Sequence, residues 1–178
     1  MTSPDTAARS LTVQWDDPMI GARAAQTLSG LEYLRAMEAG DIPPPPVMKL
    51  LGFDFVRATE GEVEFAFVPH ESHFNPIGSV HGGVISTLLD SAMGCSVHSL
   101  LPRGKGYTTL ELKVNFVRAV LPRHGKLLCR GQVIHSGGRM ATAEARLQDA
   151  AGKLYAHATT TCMIFDARPA SSSQRKNT

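Results

Sequence analysis

The apolar segment at residues 82–100 carries two features that together could hydrolyse a substrate carbonyl. Its sequence, GGVISTLLDSAMGCSVHSL, contains one acid, Asp90, and no Lys, Arg or Glu. A helix that is apolar on nearly every side is typically buried, and a buried carboxylate is costly unless it is paired or hydrogen-bonded. We therefore interpret Asp90 as a general base or a nucleophile. The alternative is a structural carboxylate held by the hydroxyls of Ser86, Thr87 and Ser91.

The start of the segment, His81-Gly82-Gly83, offers bare backbone N–H groups. The first four N–H groups of a helix lack intrahelical partners and carry the positive end of the helix dipole. Because glycine lets a ligand oxygen approach the backbone closely, this start could polarise a carbonyl that becomes an oxyanion. The alternative is a tightly packed junction between loop and helix, without a ligand.

The spacing of the two features predicts a shared site. Gly82 and Asp90 are eight residues apart, which is about 12 Å along a helix. One carbonyl cannot contact both from the same helix, since reacting atoms must lie about 3 Å apart. In a two-fold dimer, Gly82 of one chain can lie beside Asp90 of the other, and this happens twice. We therefore predict a homodimer with two composite sites.

Other polar residues precede the helix. Asn75 could donate an amide hydrogen bond to a substrate carbonyl or hold the attacking water, and a turn residue before Pro76 is the alternative. His81 is expected to orient the loop by hydrogen bonding. His70, His73 and His81 lack a fourth ligand at zinc-like spacing, so we predict no metal site.

Arginines near the ends of predicted strands are candidates for binding phosphate. The turn Ser136-Gly137-Gly138-Arg139 places free N–H groups beside a guanidinium, which suits a phosphate. Arg118 also stands near a strand end. The alternative for the turn is a plain hairpin with a solvated arginine.

Composition indicates one globular domain. The chain has 178 residues, 43% of them hydrophobic, and a net charge of +2, which allows a sizeable core and argues against a nucleic-acid binder with a basic patch. Cys95, Cys129 and Cys162 are far apart, as expected for reduced core cysteines. Because the N-terminus has no apolar leader region and the polar residues in 82–100 disfavour a membrane span, we expect a cytoplasmic protein.

The order of predicted elements indicates an α+β domain. Residues 1–46 form an extension with a short amphipathic helix, whose capping box is Ser29 and Glu32, and a proline spacer at 43–46. A hairpin at 53–68, the buried helix and consecutive antiparallel strands up to residue 166 follow. The domain at 47–166 is thus a sheet wrapped around one helix, helped by a second subunit. We expect residues 167–178 to be a disordered tail.

The loop and helix resemble a motif of the hotdog-fold acyl-CoA thioesterases. The motif reads NPIGSVHGG over residues 75–83, is followed by the acid at Asp90, and continues in the strand YTTLELKVNF over 107–116. The similarity covers about residues 47–166. It is greatest to the phenylacetyl-CoA thioesterase group, and the chain is similar also to 4-hydroxybenzoyl-CoA thioesterases of the Arthrobacter type.

The resemblance implies a hotdog fold, with an antiparallel sheet wrapped around one long buried helix, paired into homodimers and often homotetramers, with no cofactor. By motif position, Asp90 matches the catalytic acid and the Gly82 N–H matches the group that polarises the carbonyl. Asn75 matches the amide that assists it, and His81 matches the histidine beside it.

The resemblance also implies contacts with substrate. Some relatives hold water with a threonine one turn past the acid, where this chain has Gly94, so Ser91 is expected to substitute. The complete set of expected substrate contacts is Gly83, Ser91, Asn115, Arg118, Gly137, Gly138 and Arg139.

The implied activity is hydrolysis of acyl-CoA thioesters, with aromatic or medium-chain acyl groups, to free acid and CoA. Acyl-CoA is then the partner molecule, with no nucleic acid and no membrane. One alternative is a hotdog hydratase or dehydratase acting on acyl-CoA. Another is a non-catalytic acyl-CoA binding module, since a fold does not determine a function.

Overall fold

The structure is a computed structural model that describes residues 8–167. In it, one long helix packs on an antiparallel sheet. Its helices are α1 (Met19–Ala24), α2 (Gly30–Ala39), α3 (Pro46–Leu51) and α4 (Gly82–His98). Its strands are β1 (Phe53–Thr59), β2 (Glu62–Phe67), β3 (Lys105–Phe116), β4 (Leu127–Ser136), β5 (Met140–Gln148) and β6 (Leu154–Asp166). The first seven residues and the predicted tail, apart from Ala167, lie outside the described part of the chain.

The six strands form one sheet in the order β1-β2-β4-β5-β6-β3, and every neighbouring pair is antiparallel. Helix α4 follows the β1–β2 hairpin in the chain and contacts all six strands. The predicted α+β architecture, a sheet wrapped around one long helix, is therefore confirmed.

The sheet covers only one side of α4. Its fully buried face includes Leu88, Leu89, Ala92 and Met93, each with 0% of its surface exposed. On the opposite side of α4, half-buried residues at helical spacing form a stripe that the sheet does not cover. These residues are Val84, Thr87, Asp90, Ser91 and Cys95. One sheet does not surround the helix, and this is the side on which the sequence predicts help from a second subunit.

Strand β3 lies at the edge of the sheet and pairs only with β6. Its register shifts at a bulge between Thr109 and Glu111, a feature common on edge strands. Strict alternation along β3 would place Leu110 on the same face as Leu112 and Val114. The bulge instead leaves Leu110 56% exposed and turns Thr109 toward α4.

The N-terminal extension packs over the C-terminal half of α4. The predicted capping box of α2 is present, with the Ser29 N–H and hydroxyl both donating to the Glu32 carboxylate, and Gly40 ends the helix with φ of 84°. Helix α1 is not predicted, since it has only six residues and no polar N-cap. Leu34 and Met37 of α2 are buried against the core.

Gly131 of β4 sets how closely the sheet approaches α4, because an ideal Cβ at this position would lie 2.3 Å from the carbonyl oxygen of Ala92. The two nearest atoms, the carbonyl oxygen and carbon of Ala92, belong to the backbone, so we expect Gly131→Ala to lower the free energy of unfolding by about 1–3 kcal/mol. Gly138→Ala is the control, because nothing lies within 4 Å of its Cβ. Urea denaturation measures both variants, and similar losses in the two would contradict this account of how α4 is seated.

Candidate active site

The N-terminus of α4 presents one backbone donor that the protein does not use. His81 is the N-cap, and its Nδ1 accepts a hydrogen bond from the Gly83 N–H at 2.9 Å. The N–H groups of Val84 and Ile85 both donate to the His81 carbonyl. Within residues 8–167 the Gly82 N–H alone of this first turn has no acceptor, and it lies at the positive end of the helix dipole.

The loop before α4 is braced by Asn75. The Asn75 Oδ1 accepts hydrogen bonds from the N–H groups of Ile77 and Ser79 at 3.1 and 3.2 Å, and its Nδ2 donates to the Ser79 hydroxyl at 3.0 Å. An amide nitrogen has two hydrogens, so one remains for a ligand. Asn75 thus shapes the loop and keeps a donor beside the start of the helix.

Asn75 and Gly82 line the same depression, with a volume of about 300 Å³, which we name the Gly82 cavity. Arg118 also lines it, and its guanidinium donates to the carbonyl of Leu154. Phe116 packs on Gly82, where an ideal Cβ would lie 3.0 Å from the ring. The structure therefore brings a free N–H, an amide and a cation to one cavity.

Asp90 lies in a second depression, of about 360 Å³, which we name the Asp90 cavity. The Thr109 hydroxyl of β3 donates to Asp90 Oδ1 at 2.9 Å. Ser91 also lines this cavity, but its hydroxyl donates to the carbonyl of Thr87 at 2.7 Å. Apolar side chains form much of the remaining wall: Leu34, Met37, Val47, Met48 and Phe65.

Thr109 is the residue that sequence reasoning missed. The position one turn past the acid is Gly94, and a larger residue does not fit there because an ideal Cβ would lie only 2.5 Å from the Tyr107 Oη. Tyr107 fills that space, and Thr109 follows it at an alternating position on the same strand. The alternating pattern of β3 places Tyr107 and Thr109 on one face of the strand, and this pattern could have identified Thr109. The bulge that turns this face toward α4, however, has no clear sequence signal.

The two cavities share no lining residue. Gly82 lines the Gly82 cavity and Asp90 lines the Asp90 cavity, and the two residues are about 12 Å apart along α4. The described chain therefore has two separate depressions, one with the N–H donor and one with the carboxylate.

The remaining predicted contacts line neither cavity. Gly83 uses its N–H on His81. Asn115 is exposed and lies opposite His157 on the strand pair β3–β6. Gly137, Gly138 and Arg139 form the exposed β4–β5 turn; the Gly137 N–H donates to the Met140 carbonyl, and the Arg139 carbonyl accepts from the Ile164 N–H. Their roles in binding substrate stay predictions.

The three cysteines are free thiols. Burial raises the pKa of Cys95, which lines the Asp90 cavity, to about 12, and it also raises the pKa of Cys129 and Cys162. Thiolate is the nucleophilic form of cysteine, so none of them suits that role near neutral pH.

Residues 8–167 contain no group of three His, Cys, Asp or Glu side chains that could hold a metal ion. None of the helices in the same range is long and apolar enough to cross a membrane.

Known proteins are similar to this chain across the segment that holds Gly82 and Asp90. The sequence profile of the thioesterase superfamily matches residues 77–156. The structure of a phenylacetic acid degradation-related protein from Ralstonia eutropha is 32% identical with a TM-score of 0.66, over 74% of this chain and 98% of that one. A Streptococcus mutans protein solved with acetyl-CoA is 26% identical with a TM-score of 0.59, over 66% and 91% of the two chains.

The sequence of one curated protein is also similar to this chain. A protein of Halobacterium salinarum with an inferred esterase assignment is 32% identical over 103 residues, which span 55% of this chain and 66% of that protein.

Proposed function

The chain belongs to the thioesterase superfamily and is a thioester hydrolase, and from this premise we propose that it cleaves acyl-CoA with active sites shared between two chains. The predicted hotdog architecture, a sheet wrapped around α4, is that of its structural neighbours. The observation that carries the proposal is the separation of Gly82 and Asp90 into two cavities on one rigid helix.

The free edge of β3 is where we place the second chain. An edge strand offers unpaired backbone groups to another strand. Leu110, Phe116 and Val117, at or near this edge, expose 56%, 54% and 45% of their surface. Antiparallel pairing of two such edges about a two-fold axis lays the α4 helices side by side, and it sets Gly82 of each chain beside Asp90 of the other.

In this arrangement the thioester carbonyl oxygen accepts a hydrogen bond from the Gly82 N–H, and Asn75 is available to assist. Negative charge builds up on that oxygen as the carbonyl carbon becomes tetrahedral, and the positive end of α4 stabilises it. The carbonyl carbon then faces Asp90 of the second chain, whose carboxylate is held in place by Thr109.

Asp90 can act by two routes that differ in their bonds. As a base it takes a proton from water, whose oxygen bonds to the carbonyl carbon as the carbon–sulfur bond breaks. As a nucleophile it bonds to the carbonyl carbon and expels CoA thiolate, and water then hydrolyses the mixed anhydride. Label in the Asp90 carboxylate after a single turnover in heavy-oxygen water excludes the first route, because direct attack of water on the thioester labels only the product acid, whereas attack of water on the Asp90 carboxyl carbon of the anhydride labels Asp90.

The acyl group occupies the Asp90 cavity, and CoA leaves along the other side of the thioester. The cavity volume of about 360 Å³ and its apolar wall suit an aromatic or medium-chain acyl group. Arg118, in the Gly82 cavity, is a cation available to a CoA phosphate. The Streptococcus mutans structure with acetyl-CoA supports CoA as the carrier.

A panel of acyl-CoA thioesters tests the activity, with a thiol dye that reports free CoA. We expect turnover of phenylacetyl-, benzoyl- or octanoyl-CoA, and a loss of about 10²–10⁴-fold in kcat for Asp90→Asn, since that change removes the carboxylate and keeps its shape. Asp54→Asn, an exposed acid on β1, is the control. If none of these thioesters releases free CoA, the proposal is refuted.

Proline at position 82 tests the N–H donor itself. Gly82 is the first helical residue and His81 before it is extended, so proline fits there while removing the N–H. We expect Gly82→Pro to lower kcat by about 10²–10³-fold. Gly82→Ala is the matched control, because it adds the same Cβ against Phe116 and keeps the donor. Equal losses in the two variants would assign the effect to packing rather than to the N–H.

Mixed dimers test the sharing of sites. A dimer of one Asp90→Asn chain and one Gly82→Pro chain has one site with both groups intact and one with neither. We therefore expect about half of the wild-type activity from tagged, purified heterodimers, although each parent homodimer is nearly inactive. Heterodimers as inactive as their parents would show that each site lies within one chain.

A further inference from the structure

The loop before α4 begins with a tight turn that is closed by the buried imidazole of His73. This turn is a short 3₁₀ helix, Glu71–His73. The Nδ1 of His73 accepts a hydrogen bond from the His70 N–H at 3.1 Å, and the His73 N–H donates to the His70 carbonyl at 3.1 Å. Only 9% of the surface of His73 is exposed, and its ring packs on Phe67 of β2 with centroids 5.2 Å apart. His73 therefore joins the turn to the core of the sheet.

The main chain of His73 holds the residue that caps α4. The His81 N–H donates to the His73 carbonyl at 2.8 Å. Between these two residues the chain turns back on itself as a short antiparallel hairpin. Asn75 lies within this hairpin, and Gly82 follows directly after it. The position of His73 therefore sets the base of the hairpin, and through it the two donors of the Gly82 cavity.

The hydrogen bond at Nδ1 requires a neutral His73. A backbone N–H can only donate, so the Nδ1 that accepts from it carries no proton, and the one ring proton of the neutral imidazole is on Nε2. A second proton would go to Nδ1 and face the His70 N–H, donor against donor. The closed turn and the imidazolium form of His73 therefore exclude each other.

The surroundings of His73 offer no negative charge that would stabilise an imidazolium. His73 lines a depression of about 390 Å³ together with His70 and with Lys49 of α3, and within residues 8–167 no carboxylate lines that depression. Glu71, the acid in the same turn, is paired with Arg9 at 2.8 Å. Burial lowers the pKa of His73, and the nearby His70 lowers it further. His73 is therefore neutral near pH 7.

Resting on the proposed function, we propose that His73 is a positioning residue for the thioester carbonyl: its neutral ring holds Asn75 and the Gly82 N–H in place, and its protonation releases them. His73 lines neither the Gly82 cavity nor the Asp90 cavity, so it acts through the loop and does not touch the substrate. When Nδ1 takes a proton from water, the turn loses the hydrogen bond that closes it, and the base of the hairpin can move. A displacement of about 1 Å at the donors is enough to lower the rate by about 10²-fold.

The pH dependence has a definite direction. The pKa of His73 in the folded chain lies below the ordinary value of 6.5. The neutral ring therefore stabilises the fold above that value, and this contribution is lost as the pH falls through the lowered pKa. The donors are accordingly in place at neutral and alkaline pH, and acid releases them.

Two substitutions at position 73 separate the hydrogen bond from the charge. In His73→Asn the side-chain Oδ1 is as many bonds from the backbone as Nδ1 is, so it can accept from the His70 N–H, but it does not titrate. In His73→Leu the side chain keeps apolar bulk against Phe67 and has no acceptor. His135→Asn is the control, because His135 is an exposed histidine of β4 that lines neither cavity.

We expect His73→Leu to lower kcat by about 10–10²-fold near pH 8 with KM little changed, because the Gly82 N–H acts on the transition state. His73→Asn should keep most of the wild-type kcat at that pH. When the pH is lowered to about 5, it should lose less of its kcat than the wild type does, since one protonation that disables the site is removed. His135→Asn should follow the wild type throughout. Thermal unfolding at both pH values checks that each variant is folded.

Amide NMR tests the positioning without any substrate. In the wild type we expect the amide shifts of His81 and Gly82 to change with the same midpoint as the ring of His73. In His73→Asn that inflection should disappear. Any change that His81 or Asp90 causes remains there, because both residues are intact in the variant.

The outcomes separate this inference from the proposed function. A wild-type kcat in folded His73→Leu, an acid loss of kcat in His73→Asn as large as in the wild type, or a Gly82 amide shift that does not follow His73 would each overturn the role of His73 and leave the hydrolase intact. If His73→Leu does not fold, His73→Asn and the amide shifts decide. Hydrolysis of no thioester by the folded protein would overturn the proposed function, and the amide shifts would then still decide whether His73 holds the two donors.

Discussion

A rigid helix cannot bring its own N-terminus to a side chain in its middle, and most of this structure follows from that constraint. The Gly82 N–H and the Asp90 carboxylate lie about 12 Å apart on α4, while a reacting carbonyl needs both within a few ångströms. Neither folding nor local motion can shorten that distance, because α4 is packed against all six strands. In the proposed dimer a second copy of the helix resolves the conflict, and it also covers the stripe that the sheet leaves open.

Edge strand β3 connects the constraint to the site. It contacts α4 along its length, through Tyr107 at Gly94, Thr109 at Asp90 and Phe116 at Gly82. The strand that positions the carboxylate is thus the strand whose free edge meets a second chain in the proposed dimer. Because the same element does both, any change in how two chains pair is transmitted directly to the carboxylate and to the helix start.

Local sequence signals were sufficient to predict the helices and strands, but they were not sufficient to predict the details of the site. The capping box at Ser29 and the hairpin of β1 and β2 each depend on a few neighbouring residues, so they were predictable. The exposure of Leu110 and the contact of Thr109 with Asp90 depend on a bulge on an edge strand, where pairing constrains the backbone least. The long-range contact between the rings of Tyr33 and His98 in the Asp90 cavity has no local signal, since it depends on how α2 packs across the end of α4.

The half-buried state of Asp90 is consistent with a carboxylate that becomes enclosed only on assembly. A fully buried acid in a single chain would have to lose its hydration during folding, at a cost that one hydrogen bond from Thr109 does not offset. In the separate chain Asp90 instead keeps contact with water along the open stripe of α4. In the proposed dimer, pairing of two chains removes that water when the Gly82 end of the other helix arrives, and electrostatic interactions strengthen as the local dielectric falls. On this proposal, the desolvation that favours catalysis is coupled to association rather than to the stability of the individual fold.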